Sequence, residues 1–321
     1  MTKLRPFRFG VICEHMQSAE EWVTKAHQAE EYGYATLLIR DHFIREPFGD
    51  QLAPLIALMA AANATKTLRV GSLVLDNDYR HPVMLAKEAA TLDLLSGGRF
   101  ELGIGAGWLG SEYEQAGMVF EPAGVRVSRL EEAIQVLKGL FADQPFTFAG
   151  DHYTITNLNG FPKPAQRPHP PILVGAGSKR MLALAAREAD IVGILPKALP
   201  DGTISEEITE RLPATLAQKV EWVRQAAGER FDELELNMVI TPVFSEHRRQ
   251  RAEQLAHERG WSGIAVEDVL DMPSIFIGTP DQIVEDLLRR RERFGFSYFV
   301  VSDASMEAFV PVVSRLAGNE G

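Results

Sequence analysis

Leu94–Trp108 reads Leu-Leu-Ser-Gly-Gly-Arg-Phe-Glu-Leu-Gly-Ile-Gly-Ala-Gly-Trp, and the parsing of this stretch decides the fold. Leu94 and Leu95 close an apolar helical pattern, and Gly97 and Gly98 turn the chain. Phe100–Ile104 is then a short buried strand, and Gly103, Gly105 and Gly107 open its exit. A glycine lacks Cβ, so the backbone there turns sharply or approaches a flat, bulky ligand closely. Trp108 adds a large aromatic surface at the mouth. Helix, turn, strand and glycine-rich exit point to a ligand site at the end of a barrel strand.

The same unit recurs outward in both directions. Strands are expected at Phe7–Cys13, Tyr34–Ile39, Arg69–Leu75, Ile172–Val174, Asp190–Leu195, Glu235–Phe244, Ser274–Ile277 and Tyr298–Ser302, with helical patterns between them. Ser18 is placed to cap the first helix, and Pro82 suits the first turn of the helix ending at Leu95. Repeated strand–helix units with non-alternating apolar strands predict a closed parallel sheet, a (β/α)8 TIM barrel. Insertions follow strands four, six and seven, with Asp143–Pro171 and Lys197–Leu212 the irregular stretches. A doubly wound open sheet is the alternative. The expected domain is 1–321, undivided by any linker or low-complexity segment.

With 321 residues, 45% of them hydrophobic and 24% charged, the chain has the composition of a globular protein. Its net charge of −11 argues against nucleic acid or an anionic membrane as partner. Leu52–Ala62 is apolar but too short to span a bilayer. One cysteine, Cys13, allows no intrachain disulfide, so a reducing cytoplasm is the expected location. The expected partners are a small-molecule substrate and a second copy in a homodimer.

Residues just beyond strand ends are the chemical candidates. His42, in Asp41-His42-Phe43, is a candidate acid, base or donor, since histidine as a residue type suits proton transfer. His15 and Trp108 are candidate substrate-pocket residues, and Glu112 is a second candidate for moving a proton. Gly175-Ala176-Gly177-Ser178-Lys179 lies between a strand and a helix, where free N–H groups and the helix dipole suit a phosphate. The histidines lack metal-ligand spacing, so no metal is expected. A barrel hydrolase or lyase is disfavoured because no nucleophile elbow or Schiff-base lysine stands at the strand ends.

Arg80-His81-Pro82, Ala90–Asp93, Ser96–Arg99 and Leu102–Trp108 resemble the signature of luciferase-like monooxygenases. Pro170–Gly175, Ala189–Gly193 and Ile277–Asp281 extend the likeness over nearly the whole chain. Asp41-His42-Phe43 and the last two segments are most similar to the branch that uses the deazaflavin coenzyme F420. The resemblance implies a (β/α)8 barrel holding F420, or alternatively FMN, at the C-terminal strand ends. It implies a cis peptide near Ser72-Leu73-Val74 behind the ring, Asp76 at the ring edge and His42 near its reactive face. Gly105 and Gly107 would line the same cavity, and Gly175–Lys179 would hold the cofactor phosphate. The implied activity is hydride transfer between F420 and a small organic substrate. An FMN monooxygenase and a flavin-binding barrel without turnover are the alternatives. Sugar-phosphate dehydrogenases of the F420 branch carry a glutamate where this chain has Trp108, and a tryptophan near Ile44-Arg45-Glu46. Both departures argue against a sugar phosphate as substrate.

Overall fold

A computed structural model describes residues 5–16 and 18–318. Strands β1 (Arg8–Cys13), β2 (Thr36–Ile39), β3 (Arg69–Ser72) and β4 (Leu75–Asp76) alternate with helices α1 (Ala19–Glu31) and α2 (Pro54–Ala64), and α3 (Pro82–Leu95) leads to β5 (Phe100–Gly105). Next come α4 (Gly110–Gln115), α5 (Ala123–Phe141), the antiparallel hairpin β6 (Phe146–Ala149) and β7 (Thr154–Leu158), β8 (Ile172–Ala176), α6 (Lys179–Glu188) and β9 (Ile191–Ile194). The remainder is α7 (Pro213–Ala227), β10 (Glu235–Val239), β11 (Thr241–Phe244), α8 (Arg248–Glu258), α9 (Val266–Asp271), β12 (Ile275–Gly278), α10 (Pro280–Phe294), β13 (Phe296–Ser302) and α11 (Val310–Leu316).

The barrel closes in the order β1, β2, β3, β5, β8, β9, β10, β13 and back to β1, every pairing parallel. Helix starts follow local chemistry. Ser18 accepts a hydrogen bond from the Glu21 amide to cap α1, and proline opens α2, α3, α7 and α10. Inside the barrel, Ile12, Leu38, Leu173, Ile191, Tyr298 and Val300 form one apolar cluster. Toward the N-terminal strand ends, buried Glu101 pairs with Arg8 and with Arg69, at 2.7 Å to the latter. Burial alone would raise its titration point; the two guanidinium groups outweigh that and hold it low.

The third barrel strand is not continuous. β3 pairs with β5 through Gly71 opposite Glu101, and β4 resumes with Leu75 opposite Ile104, so one extra residue is accommodated as a bulge. The Leu73–Val74 peptide within it is cis. The Ser72 hydroxyl donates to the Gly103 carbonyl at 2.8 Å and accepts from the Gly103 amide at 3.0 Å, replacing ladder bonds lost in the bulge. A Cβ on Gly103 would collide with the Ser72 carbonyl, and one on Gly105 would lie 2.8 Å from Val74 Cγ2. The glycines of β5 therefore make room for the bulge of its neighbour.

Glu235–Phe244 is two strands rather than the single one expected. It breaks at Ile240, after which β11 leaves the barrel to pair with β12, the strand expected near Ser274–Ile277. Pro242 has no amide to donate, which suits a two-stranded ladder and not the middle of a closed sheet. Residues 241–278 build a small apolar cluster of Ala252, Leu255, Val269, Met272, Ile275 and Ile277, and Ile208 and Leu212 from the preceding insertion pack against it. Among the described residues, no helix is long and apolar enough to cross a membrane.

Candidate active site

A cavity of about 640 Å³ lies at the C-terminal strand ends, under the two late insertions. At one side the exit of β2 sends out Arg40, Asp41 and His42. Buried Asp41 accepts from Arg80 (3.1 Å from Nη2 to Oδ1) and from the Asp76 amide at 3.1 Å, which ties the exits of β2 and β4 together. The His42 Nδ1 lies 3.0 Å from Glu112 Oε2, the oxygen that also accepts from the Tyr79 hydroxyl at 2.8 Å. The other Glu112 oxygen accepts from the amides of Phe43 and Ile44. Burial would raise the Glu112 titration point, but hydrogen bonds from His42, Tyr79 and the Phe43 amide outweigh it and hold the carboxylate below its ordinary value. With Nδ1 engaged, Nε2 is the imidazole nitrogen left for a ligand.

The neighbouring residue on α4 serves a different carboxyl. Tyr113 donates to Asp76 Oδ2 at 2.7 Å, and the Asp78 amide donates to Asp76 Oδ1 at 2.9 Å. Burial pushes the Asp76 carboxyl up to about 7; these hydrogen bonds oppose the rise, while the charges of Asp78 and Asp41 add to it. Asp76 thus lines the cavity as a carboxyl raised well above its ordinary range.

Three rings form the adjoining wall. His42 lies 5.2 Å from Phe48 and 6.0 Å from Trp108, and Phe48 lies 6.1 Å from Trp108 in an edge contact. Leu73 and Val74 of the bulge, Gly105 and Gly107 border the same space.

At the opposite end stands the start of α6. Gly175, Gly177 and Ser178 line the cavity, and the Ser178 hydroxyl caps the helix by accepting from the Met181 amide at 3.4 Å. Arg126 of α5 also lines the cavity. It is 4% exposed, lies 3.8 Å above the Phe120 ring, and leaves Nε and Nη1 without a hydrogen-bond partner. A buried guanidinium with free donors is costly unless an anion completes it. Lys197 and Arg211 also border the cavity, whereas Lys219 is already paired with Glu210 at 2.6 Å.

Of the residues singled out in the sequence, His42, Glu112, Leu73, Val74, Asp76, Gly105, Gly107, Trp108, Gly175, Gly177 and Ser178 share this cavity. Four stand apart from its lining. Ser72 is engaged by Gly103, Ala176 is buried in the wall, the Lys179 ammonium lies 5.8 Å over Trp222, and His15 is exposed beside Gly49. Arg126 and Phe48 join the site without belonging to any motif singled out in the sequence. Arg126 sits four residues before Leu130, on the apolar stripe of its helix, and a cation at such a position is a readable signal of a buried partner.

The model of the luciferase-like monooxygenase family matches residues 4–298, and the chain belongs to that family. It is accordingly an oxidoreductase. It is 28% identical over 261 residues to the FMNH(2)-dependent dimethylsulfone monooxygenase of Pseudomonas putida, covering 72% of this chain and 68% of that protein. With an F420-dependent glucose-6-phosphate dehydrogenase of Nakamurella multipartita it shares 31% identity over 279 residues, 83% and 78% of the two chains. Some other matches span about half of the relative's length. In fold it matches an F420-dependent secondary alcohol dehydrogenase in complex with an F420–acetone adduct, with a TM-score of 0.74, 18% identity and coverage of 97% and 98%.

Proposed function

We propose that the protein transfers a hydride between coenzyme F420 and a small organic substrate. The observation that carries this reading is the buried, unpartnered guanidinium of Arg126 in the same cavity as the His42–Glu112 pair. The fit is chemical: an anion completes Arg126 and the start of α6, and Lys197 and Arg211 extend the positive lining for a long, acidic tail. A shorter FMN phosphate needs fewer of these cations. FMN remains the alternative, favoured by the likeness to the Pseudomonas putida enzyme.

When bound, a deazaflavin supplies a carbon that gives or takes a hydride and does not activate oxygen. The chain's own residues bind, orient and manage the proton. Arg126, Gly175, Gly177 and Ser178 would hold the phosphate; Leu73, Val74, Asp76, Gly105 and Gly107 would border the ring. His42 Nε2 exchanges a proton with the substrate, and Glu112 fixes the imidazole through Nδ1.

Thermal denaturation of the purified protein with F420 or FMN tests the reading. F420 at about a hundredfold excess over its Kd adds about 2.7 kcal/mol of stability. Arg126→Ala weakens F420 binding by about tenfold or more while removing no hydrogen bond from the ligand-free fold. Stabilisation by FMN and not by F420 overturns the coenzyme assignment.

We also propose a homodimer that closes over α2 and α3. These helices touch, and α2 is apolar on nearly every side, a pattern that belongs to a covered helix. Yet Ile56 is 77% and Leu95 64% exposed, with Leu52, Met84 and Leu94 exposed nearby. Light scattering on the 35.6 kDa chain is expected to return twice that mass, and Ile56→Lys with Leu95→Lys to return the single mass. A monomeric wild-type protein rules the dimer out.

A further inference from the structure

The charges around the cavity are divided in a way that speaks to the substrate. Arg126 of α5 and Lys197 and Arg211 of the second insertion line the cavity, and none is paired with an acidic side chain among the described residues. At the His42 end every charge is already engaged. Arg40 is bound to Glu14 at 2.6 Å and its guanidinium is stacked 3.9 Å from the Phe48 ring. Asp41 is held by Arg80, and Glu112 by His42, Tyr79 and two backbone amides. Asp76 is held by Tyr113 and the Asp78 amide.

A second anion entering beside Glu112 would be desolvated while Arg40 and Arg80 are already paired with Glu14 and Asp41, and would be repelled by the Glu112 carboxylate. A cation would have to draw Glu112 or Asp41 from the groups they bind. What this end does offer is aromatic surface. Trp108 and Phe48 meet at their edges, with His42 across from both, and Leu109 continues the apolar lining. Among these groups, the imidazole Nε2 stands ready for a hydrogen bond with a ligand oxygen.

We propose that the substrate is an uncharged molecule with a flat apolar body and one hydroxyl or carbonyl oxygen. It lies against Trp108 and Phe48 with that oxygen toward Nε2 of His42. The role of the oxygen rests on the hydride-transfer reading above; the preference for an uncharged flat ligand rests on the wall alone.

Calorimetry with 2-naphthol and 2-naphthoate, which share a ring system and differ in charge, tests this on F420-loaded protein and on cofactor-free protein in excess inorganic phosphate, which occupies the anion contacts at Arg126 and the start of α6. Glucose 6-phosphate serves as an anionic, non-aromatic third ligand. The expected result is 2-naphthol binding at least about tenfold more tightly than 2-naphthoate, and no measurable heat from the sugar phosphate. Trp108→Ala and Phe48→Ala each weaken 2-naphthol by about tenfold, with F420 affinity held within about threefold. Two separate variants guard against one that fails to fold, which its melting curve would reveal. Equal or tighter binding of 2-naphthoate or the sugar phosphate overturns the proposal, as does unchanged 2-naphthol affinity in both variants. If 2-naphthol is preferred but F420 does not bind, the coenzyme reading fails and the substrate class stands. If F420 binds but 2-naphthol is not preferred, the substrate class fails and the coenzyme reading stands.

Discussion

Asp76→Asn stabilises the protein at pH 8 and leaves its stability nearly unchanged at pH 4. The Asp76 carboxyl titrates at 3.8 in an unfolded chain and at about 7 in the fold, where burial is the dominant cause. Between these values the folded protein keeps a proton that the unfolded chain has released. Stability therefore falls as pH rises through this window, and the loss is complete above the folded value. About three pH units at about 1.4 kcal/mol each give a cost on the order of 4 kcal/mol. An amide cannot ionise, so it avoids that cost, and its oxygen still accepts from the Asp78 amide or the Tyr113 hydroxyl. Urea denaturation of both proteins at pH 4, 6 and 8 measures the effect. Parallel stability–pH curves for the two proteins would show that Asp76 is ionised throughout.

His42→Ala lowers kcat/KM by about 10²- to 10⁴-fold, the usual worth of a positioned proton-transfer group. Cofactor affinity changes far less, because the anion contacts at Arg126 and the start of α6 are untouched. Glu112→Gln separates chemistry from positioning. The amide keeps the shape and can still accept from Tyr79 or from the Phe43 and Ile44 amides, but it removes the negative charge beside Nδ1. The expected outcome is a smaller fall in kcat than His42→Ala gives, with KM little changed. A His42→Ala enzyme of wild-type kcat/KM would exclude the imidazole from proton transfer.

What the sequence made legible was local. The barrel strands are short apolar runs separated by capped helices, so their existence and the placement of the insertions could be read directly. Side chains close to strand ends, such as His42 and Asp76, followed from that placement. Register was not legible, because it is set by distant partners. The extra residue between Gly71 and Leu75, and the use of Ser72 to bind Gly103, emerge only when β3, β4 and β5 are side by side. For the same reason the glycines of Leu94–Trp108 read as room for a ligand. Gly105 and Gly107 do line the cavity, but Gly103 and Gly105 also make room for Ser72 and Val74, and Gly107 for Tyr113 and Asp76. The pairing of His42 with Glu112 crosses 70 positions of sequence, and no local pattern announces it. Pro242 did carry a usable signal, since an imino acid argues against one unbroken central strand over Glu235–Phe244.

The roof of the cavity is assembled from two inserts that cannot be exchanged independently. Ile208 and Leu212 of one insert rest on the small apolar cluster of the other, while Lys197, Leu199, Ile204 and Arg211 from the first and Thr241, Pro273 and Ser274 from the second face the cavity together. Grafting a single loop from a relative would strand apolar surface on the insert left behind. An engineer reshaping this roof would therefore transplant residues 197–212 and 241–278 as one unit.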